Sequence, residues 1–303
     1  MNSVTEWENQ PVDQKYQQYL GTLYYQVDPL LTLSASAGRE YNNFSLVDQW
    51  YTNYGGGIRW RPFQRTLAAA NVMKRFFGTG YELVFNHRHR RAAFALNASR
   101  DIATYSETAF SAPGGGTRSL LDAALTAQIA DPAERRTAVN QLIALSGLPP
   151  IQANTSSFFT QAVMLQNQIE GAFAIIGVRN IATIAAFRRD RRPIGTLVVG
   201  VPDDAFINFS KETETGGAVS FTHRISPLTA LSAVYGRSYV RGFVADVPTN
   251  TATEDTVLVT LSRRFGPRTT AFVGARYQRF ADDPSEDPPT AERAIMAGIT
   301  YFF

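Results

Sequence analysis

Ala294-Ile295-Met296-Ala297-Gly298-Ile299-Thr300-Tyr301-Phe302-Phe303 closes the chain. In an extended backbone Ile295, Ala297, Ile299, Tyr301 and Phe303 share one face, and Met296, Gly298, Thr300 and Phe302 share the other. An apolar face that ends on aromatics gains little in water. It predicts a strand of a transmembrane β-barrel, whose terminal aromatics sit in the girdle at the membrane interface. A core strand of a soluble sheet shows the same alternation, so the reading turns on whether the rest of the chain repeats it.

Period-two patterning recurs along most of the 303 residues. Tyr19, Leu23, Tyr25 and Val27 alternate with Gln18, Thr22 and Gln26 before a turn at Asp28-Pro29. Leu31, Leu33, Ala35 and Ala37 alternate with Thr32, Ser34, Ser36 and Gly38. Tyr54, Gly56, Ile58 and Trp60 oppose Gly55, Gly57 and Arg59; Tyr81, Leu83 and Phe85 oppose Glu82 and Asn86. Phe94, Leu96 and Ala98 oppose Asn97, Ser99 and Asp101. Further on, Ile169, Phe173 and Ile175 oppose Gln166, Gln168 and Glu170, and Val219 and Phe221 oppose Ser220 and Thr222. Val257, Val259 and Leu261 oppose Thr260 and Ser262, and Val273, Ala275 and Tyr277 oppose Gly274, Arg276 and Gln278. The pattern predicts about 13 strands.

The connections between them are sided. They are tight near 28, 62, 89, 179, 227 and 266, and mostly long near 45, 106–158, 190–214, 241–253 and 281–291, with 77–80 the exception. Short turns at one end and long loops at the other is the asymmetry of outer-membrane barrels. One long connection has helical spacing: Leu120, Leu121, Ala124, Leu125 and Ile129, then Asp131-Pro132 as a helix start and Gly147 with Pro149-Pro150 as a stop. The expectation is therefore an all-β, antiparallel transmembrane β-barrel over 16–303 in the bacterial outer membrane. It carries one helical insert at about 117–147 and follows a polar segment at 1–15.

Composition agrees and excludes several classes. Hydrophobic residues are 44%, yet no run reaches the ~18 uncharged apolar residues of a spanning helix. The 13 Tyr and 20 Phe suit interface girdles. With no cysteine there are no disulfides and no thiolate metal sites. A formal charge of +3, scattered along the chain, gives no case for nucleic acid. Met1-Asn2-Ser3-Val4-Thr5-Glu6-Trp7-Glu8 has neither the basic start nor the apolar centre of a secretory signal. This predicts a removed leader or a chain that begins partway into a longer protein; with the odd strand count it predicts a chain that begins inside a longer barrel, the alternative for the count being a strand hidden in 190–214.

Two resemblances add to this. The spacing Gly298-x-x-Tyr301-x-Phe303 resembles the C-terminal sorting signal read by the barrel-assembly machinery, with Met296 where a polar residue is usual. Lys74-Arg75-Phe76-Phe77-Gly78-Thr79-Gly80-Tyr81-Glu82-Leu83, His87-Arg88-His89-Arg90-Arg91 and Ser99-Arg100-Asp101-Ile102-Ala103-Thr104 resemble the PEP-CTERM-system-associated outer-membrane β-barrel family. Gly57-Ile58-Arg59-Trp60-Arg61-Pro62, Gly147-Leu148-Pro149-Pro150 and Gly177-Val178-Arg179-Asn180 are similar too. The resemblance covers about 16–303 and fits the C-terminal part of family members. It implies an outer-membrane location and a link to exosortase, exopolysaccharide or surface-protein export. It brings no catalytic residue and no cofactor.

Candidate functional residues follow from the strand faces. Arg59, Glu82, Asn97, Asp101, Gln166, Glu170, Arg276 and Gln278 are expected to face the lumen, setting pore selectivity or filling the interior with salt bridges. His87 and His89 stand among Arg88, Arg90 and Arg91 at a short-turn end, where a basic rim touching lipid headgroups or phosphate is favoured over a metal site. His223 lies similarly. No histidine falls on the long-loop side, which argues against a rim-mounted enzyme. The sequence thus leaves two function classes: a pore linked to export, and a structural or docking barrel with no open channel. Outer-membrane lipid, the assembly machinery and export components are the partners either class implies.

Overall fold

The computed structural model describes residues 2–5, 15–44, 49–103, 163–194, 209–266, 268–283 and 289–301. The helical insert expected at about 117–147 and the apolar run at Leu197–Val201 lie outside the described residues, as does Phe303.

The described residues form β1 (Asn2–Thr5), β2 (Lys15–Asp28), β3 (Leu31–Asn42), β4 (Gln49–Phe63), β5 (Thr66–Arg75), β6 (Gly78–Arg88) and β7 (Ala92–Ala103). Then come β8 (Met164–Ile176), β9 (Asn180–Pro193), β10 (Lys211–Ser226), β11 (Thr229–Val244), β12 (Val247–Arg264), β13 (Thr269–Asp283) and β14 (Thr290–Tyr301). Each strand pairs antiparallel with the next, in one 14-stranded sheet without a crossover. Apart from β1 the strands run from 10 to 18 residues, enough to cross a bilayer at a barrel's tilt, which takes ~9–11.

The two faces of this sheet are the reverse of a soluble protein's. On β12, Val257, Val259 and Leu261 are exposed, while Glu254, Thr260 and Ser262 between them are buried. β11 repeats this with Leu231, Ala233 and Tyr235 against Ala230, Ser232 and Ser238, and β3 with Leu33 and Ala35 against Ser36 and Glu40. Curving a sheet splays side chains on its convex face and crowds those on its concave face. Small polar residues buried among their neighbours therefore mark the inside, and large apolar residues in the open mark the outside. In water that outer surface would be untenable. Around lipid it is the required arrangement, with the backbone groups of neighbouring strands paired along the ladders.

Aromatics bound the apolar band. Tyr19 stacks on Trp50 at 6.3 Å and Tyr41 lies 5.4 Å from Trp50 at the long-connection edge. Tyr235 donates to Asp255 at 2.9 Å along the same edge. Trp60, Phe63, Phe265 and Tyr301, all exposed, mark the short-turn edge. Amphipathic rings with one wet end belong at such interfaces. The chain is thus a transmembrane β-barrel of the outer-membrane type. Among the described residues no ladder joins β14 to β1 or β2. Outward exposure rises toward both ends of the sheet, to 79% at Leu23 and 86% at Ile295 against 39% at Val259, because the end strands lack a neighbour on one side.

The strand boundaries correct three expectations. The long loop expected at 241–253 is a two-residue turn: β11 and β12 run up to Ala245-Asp246, whose φ angles are 48° and 65°. Paired left-handed residues are what a tight hairpin needs. Here Ala-Asp supplies them in place of a Gly, so no turn signal showed. Of the loop expected at 190–214, residues 190–193 belong to β9, which continues through Pro193, and 211–214 to β10, which begins at Lys211. Within 1–15, Asn2–Thr5 is a strand paired with Lys15–Gln18.

Candidate functional site

The inner face divides along the barrel axis. Toward the short turns it carries small residues: Ser34, Ser36, Gly55 and Gly57 on one wall, and Thr183, Ser220, Thr222, Ser232, Thr260, Ser262 and Gly274 on the other. Toward the long connections it is charged.

The charged band begins at Glu40 on β3, which is fully buried. Its Oε1 accepts from the Phe76 backbone N–H at 2.9 Å, and its Oε2 from Arg75 Nε at 3.1 Å and the Tyr16 hydroxyl at 3.3 Å. Arg75 also pairs with Asp101 on β7. In register beside Asp101 stands Gln166 on β8, where a second network starts. Gln166 donates to Gln168 at 2.7 Å, Gln168 to Glu170 at 2.9 Å, and Asn97 to the other Glu170 oxygen at 3.4 Å. Gln166 in turn accepts from Arg191 Nε at 3.0 Å. Arg191 Nη1 lies 2.8 Å from Glu212 and 3.1 Å from Glu214, and Arg189 Nη1 lies 3.2 Å from Glu214. Arg189 rests over the Phe187 ring at 4.5 Å.

Strand geometry explains this pairing. Arg189 and Arg191 are two apart on β9, and Glu214 and Glu212 are two apart on β10. The antiparallel register sets Arg189 opposite Glu214 and Arg191 opposite Glu212, all four on the inner face. Their relative exposures are 2% for each arginine, 5% for Glu212 and 1% for Glu214. A third group on β12–β14 joins Gln278 to Glu254 and Arg276 to Glu292. Among the described residues, carboxylates outnumber arginines by one in each of the three groups: Glu40 and Asp101 against Arg75, then Glu170, Glu212 and Glu214 against Arg189 and Arg191, then Glu254 and Glu292 against Arg276.

All eight residues expected in the lumen lie on this inner face. Asn97, Asp101, Gln166, Glu170, Arg276 and Gln278 belong to the networks. Arg59 and Glu82 do not. They are exposed on the inner wall, and among the described residues neither forms an ion pair. Sequence reasoning missed Glu40, Arg75, Arg189, Arg191, Glu212, Glu214, Glu254 and Glu292. The signal for four of them was present: Arg189-x-Arg191 and Glu212-x-Glu214 are period-two charges of opposite sign on either side of a connection.

In the terminal motif Gly298 pairs with Phe272, and a Cβ at Gly298 would meet the Phe272 ring at 2.6 Å. The ring crosses the glycine and covers the backbone there, which any larger residue would prevent. Tyr301 is exposed on the outer face. The histidines all sit near short turns, with His87 bonded to Thr66 at 2.9 Å and His223 to Asn180 at 2.7 Å.

No family model and no curated protein matches the chain. Among solved structures it is similar to OmpT, an outer membrane protein of Vibrio cholerae, at 10% identity and a TM-score of 0.39, covering 95% of this chain and 89% of that one. It is similar to OccK3 (OpdO) of Pseudomonas aeruginosa at 10% identity and a TM-score of 0.37, covering 99% and 75%. A bacterial polysaccharide outer membrane secretin follows at 9% identity and a TM-score of 0.25, covering 95% and 91%. Likeness this slight carries no argument about ligand or mechanism, and the fold rests on the strand order and the two faces.

Proposed function

We propose that this outer-membrane barrel is a pore with an acid-rich mouth, serving export of polysaccharide or surface protein. The observation that supports a pore is the inner wall between the girdles. It is rich in Ser, Thr and Gly, with apolar residues such as Ile181, Leu258 and Phe272 interspersed, whereas a packed core would be mainly interdigitating Leu, Ile and Phe. Excess carboxylate in every charged group favours cations at the mouth. Glu82 contributes most directly, being exposed on the inner wall without an ion-pair partner among the described residues. The export role draws on the resemblance to the PEP-CTERM-associated barrels, and insertion through the barrel-assembly machinery on the motif Gly298, Tyr301, Phe303.

A second reading, a structural barrel with no open channel, has its own support. The Arg189, Arg191, Glu212 and Glu214 cluster is paired and nearly solvent-free, as in a filled interior. Planar-bilayer recording of the purified full-length protein separates the two. A pore gives stepwise conductance with a cation-preferring reversal potential, and Glu82→Lys shifts that potential toward anions. Absence of steps from protein that is folded by heat-modifiability supports the structural barrel. Steps whose selectivity ignores Glu82→Lys remove the acid-rich mouth from the account.

A further inference from the structure

The short-turn rim has a composition unlike the rest of the surface. The β4–β5 and β6–β7 ends carry Arg61, Arg65, Arg88, Arg90 and Arg91. The other short ends carry Arg179, Arg224 and, at β12–β13, Arg263, Arg264 and Arg268. Against these ten arginines the same connections hold one carboxylate, Asp28. That carboxylate is engaged in its own turn, accepting from the Leu30 and Leu31 backbone N–H groups at 2.7 and 2.8 Å. None of the ten arginines forms an ion pair among the described residues.

Backbone bonds between adjacent hairpins make the rim continuous. Arg61 N donates to Leu30 O at 2.7 Å, Arg88 N to Arg65 O at 2.8 Å, Arg224 N to Arg179 O at 2.7 Å and Arg264 N to Leu228 O at 2.8 Å. The tips between the arginines are apolar and exposed: Leu30, Phe63, Val178 and Phe265. Apolar tips interleaved with guanidinium groups suit neither open water nor hydrocarbon. They suit the layer where phosphates meet acyl chains.

One part of the rim is a built site. A groove of about 570 Å³ is lined by Arg61, Arg65, His87 and Arg88 with Leu30 and Phe63 among its apolar walls. Arg88 Nε is buried there without a hydrogen-bond partner. A buried guanidinium nitrogen left unsatisfied carries a desolvation cost that an incoming oxyanion would relieve. Guanidinium forks match phosphate in two-point geometry.

We propose that the short-turn rim is a collar for anionic glycerophospholipid. In the groove beside β4–β5 and β6–β7, Arg61, Arg65 and Arg88 hold the phosphate, and Leu30 and Phe63 receive the first acyl carbons. The collar lies at a membrane edge whether or not the lumen conducts, so it stands apart from the pore reading.

Native mass spectrometry of the delipidated full-length protein, titrated with cardiolipin, phosphatidylglycerol or phosphatidylethanolamine, tests it. The two anionic lipids are expected to bind more tightly than phosphatidylethanolamine by about tenfold or more, because their net negative headgroups are drawn to the arginines and the zwitterion is not. The triple variant Arg61→Gln, Arg65→Gln, Arg88→Gln should lose that preference. Arg39→Gln, Arg100→Gln, Arg279→Gln makes the same charge change on the outer face toward the long connections and should keep it. If the groove triple yields no heat-modifiable form, the single variant Arg65→Gln is read in the same way. Equal binding of phosphatidylethanolamine, or equal loss in the two triples, would overturn the site. Full displacement of the lipid by inorganic phosphate would show an anion site without lipid selectivity and would overturn it too. Preference for lipid A over both anionic phospholipids would assign the rim to the opposite leaflet, against the proposal.

Discussion

Glu214→Ala is expected to destabilise the folded barrel by about 3–5 kcal/mol, the cost of breaking a buried ion pair from one side. Glu214 lies 3.2 Å from Arg189 and 3.1 Å from Arg191, and its side chain is 1% exposed. Without it the remaining ion pair of this cluster among the described residues is Arg191 with Glu212 at 2.8 Å, and both guanidinium groups are nearly solvent-free. Water cannot easily replace the lost carboxylate in so crowded a place, and the two arginines then repel one another. Glu214→Gln keeps the shape and an acceptor oxygen and should cost less. Glu82→Ala, also an inner-wall carboxylate but exposed and outside any ion pair among the described residues, should stay within about 0.5 kcal/mol of the parent. Urea midpoints of the heat-modifiable form read all three. Equal losses for Glu214→Ala and Glu82→Ala would mean the cluster is hydrated and contributes little.

The second large effect comes from the outer face. Leu96→Arg, Val259→Arg and Ala275→Arg should each cost about 2–4 kcal/mol, the depth-dependent price of a guanidinium in the lipid midplane. All three side chains stand on the exposed apolar face, and Val259 and Ala275 are directly paired. Asn97→Arg is the matched control. It is adjacent to Leu96 in the chain and at the same depth, but points inward, where Asn97 meets Glu170 at 3.4 Å. A cation there gains a carboxylate, so Asn97→Arg should be near neutral. Folding yield into lipid vesicles, followed with the same urea series, gives the comparison. Losses of similar size at Leu96 and Asn97 would mean that the alternation does not separate lipid from lumen.

How far the sequence carried the fold depended on the kind of signal at each place. Strands such as Leu31–Ala37 and Val257–Ser262 were legible because one face is apolar and the other small and polar, and a barrel repeats that contrast wherever lipid touches it. The contrast fades where strands rise past the apolar band. Arg188, Arg189, Asp190, Arg191 and Arg192 are charged on both faces of β9, so hydropathy alone ended the strand at Arg188 and began the loop at 190. Charge sign at period two, matched across the connection to Glu212 and Glu214, held the missing information. The Ala245-Asp246 turn was illegible for a different reason: strain at Ala245, about 1–2 kcal/mol for a left-handed non-glycine residue, is borne by the long β11–β12 ladder and leaves no mark in local composition. Inner-wall residues were read from their neighbours' faces. Their partners were not, because Glu40 and Arg75 meet across 35 positions, a distance no local pattern encodes.

The absence of cysteine makes one experiment direct. Single cysteines at Val257, Leu258, Val259, Thr260, Leu261 and Ser262, each carrying a nitroxide in the refolded, lipid-reconstituted protein, report contact with lipid through oxygen and with water through a nickel chelate. Strict alternation is expected: oxygen access at Val257, Val259 and Leu261, and shielding from oxygen at Leu258, Thr260 and Ser262. An inverted phase, or no alternation along these six positions, would contradict a barrel with lipid outside and a polar wall within.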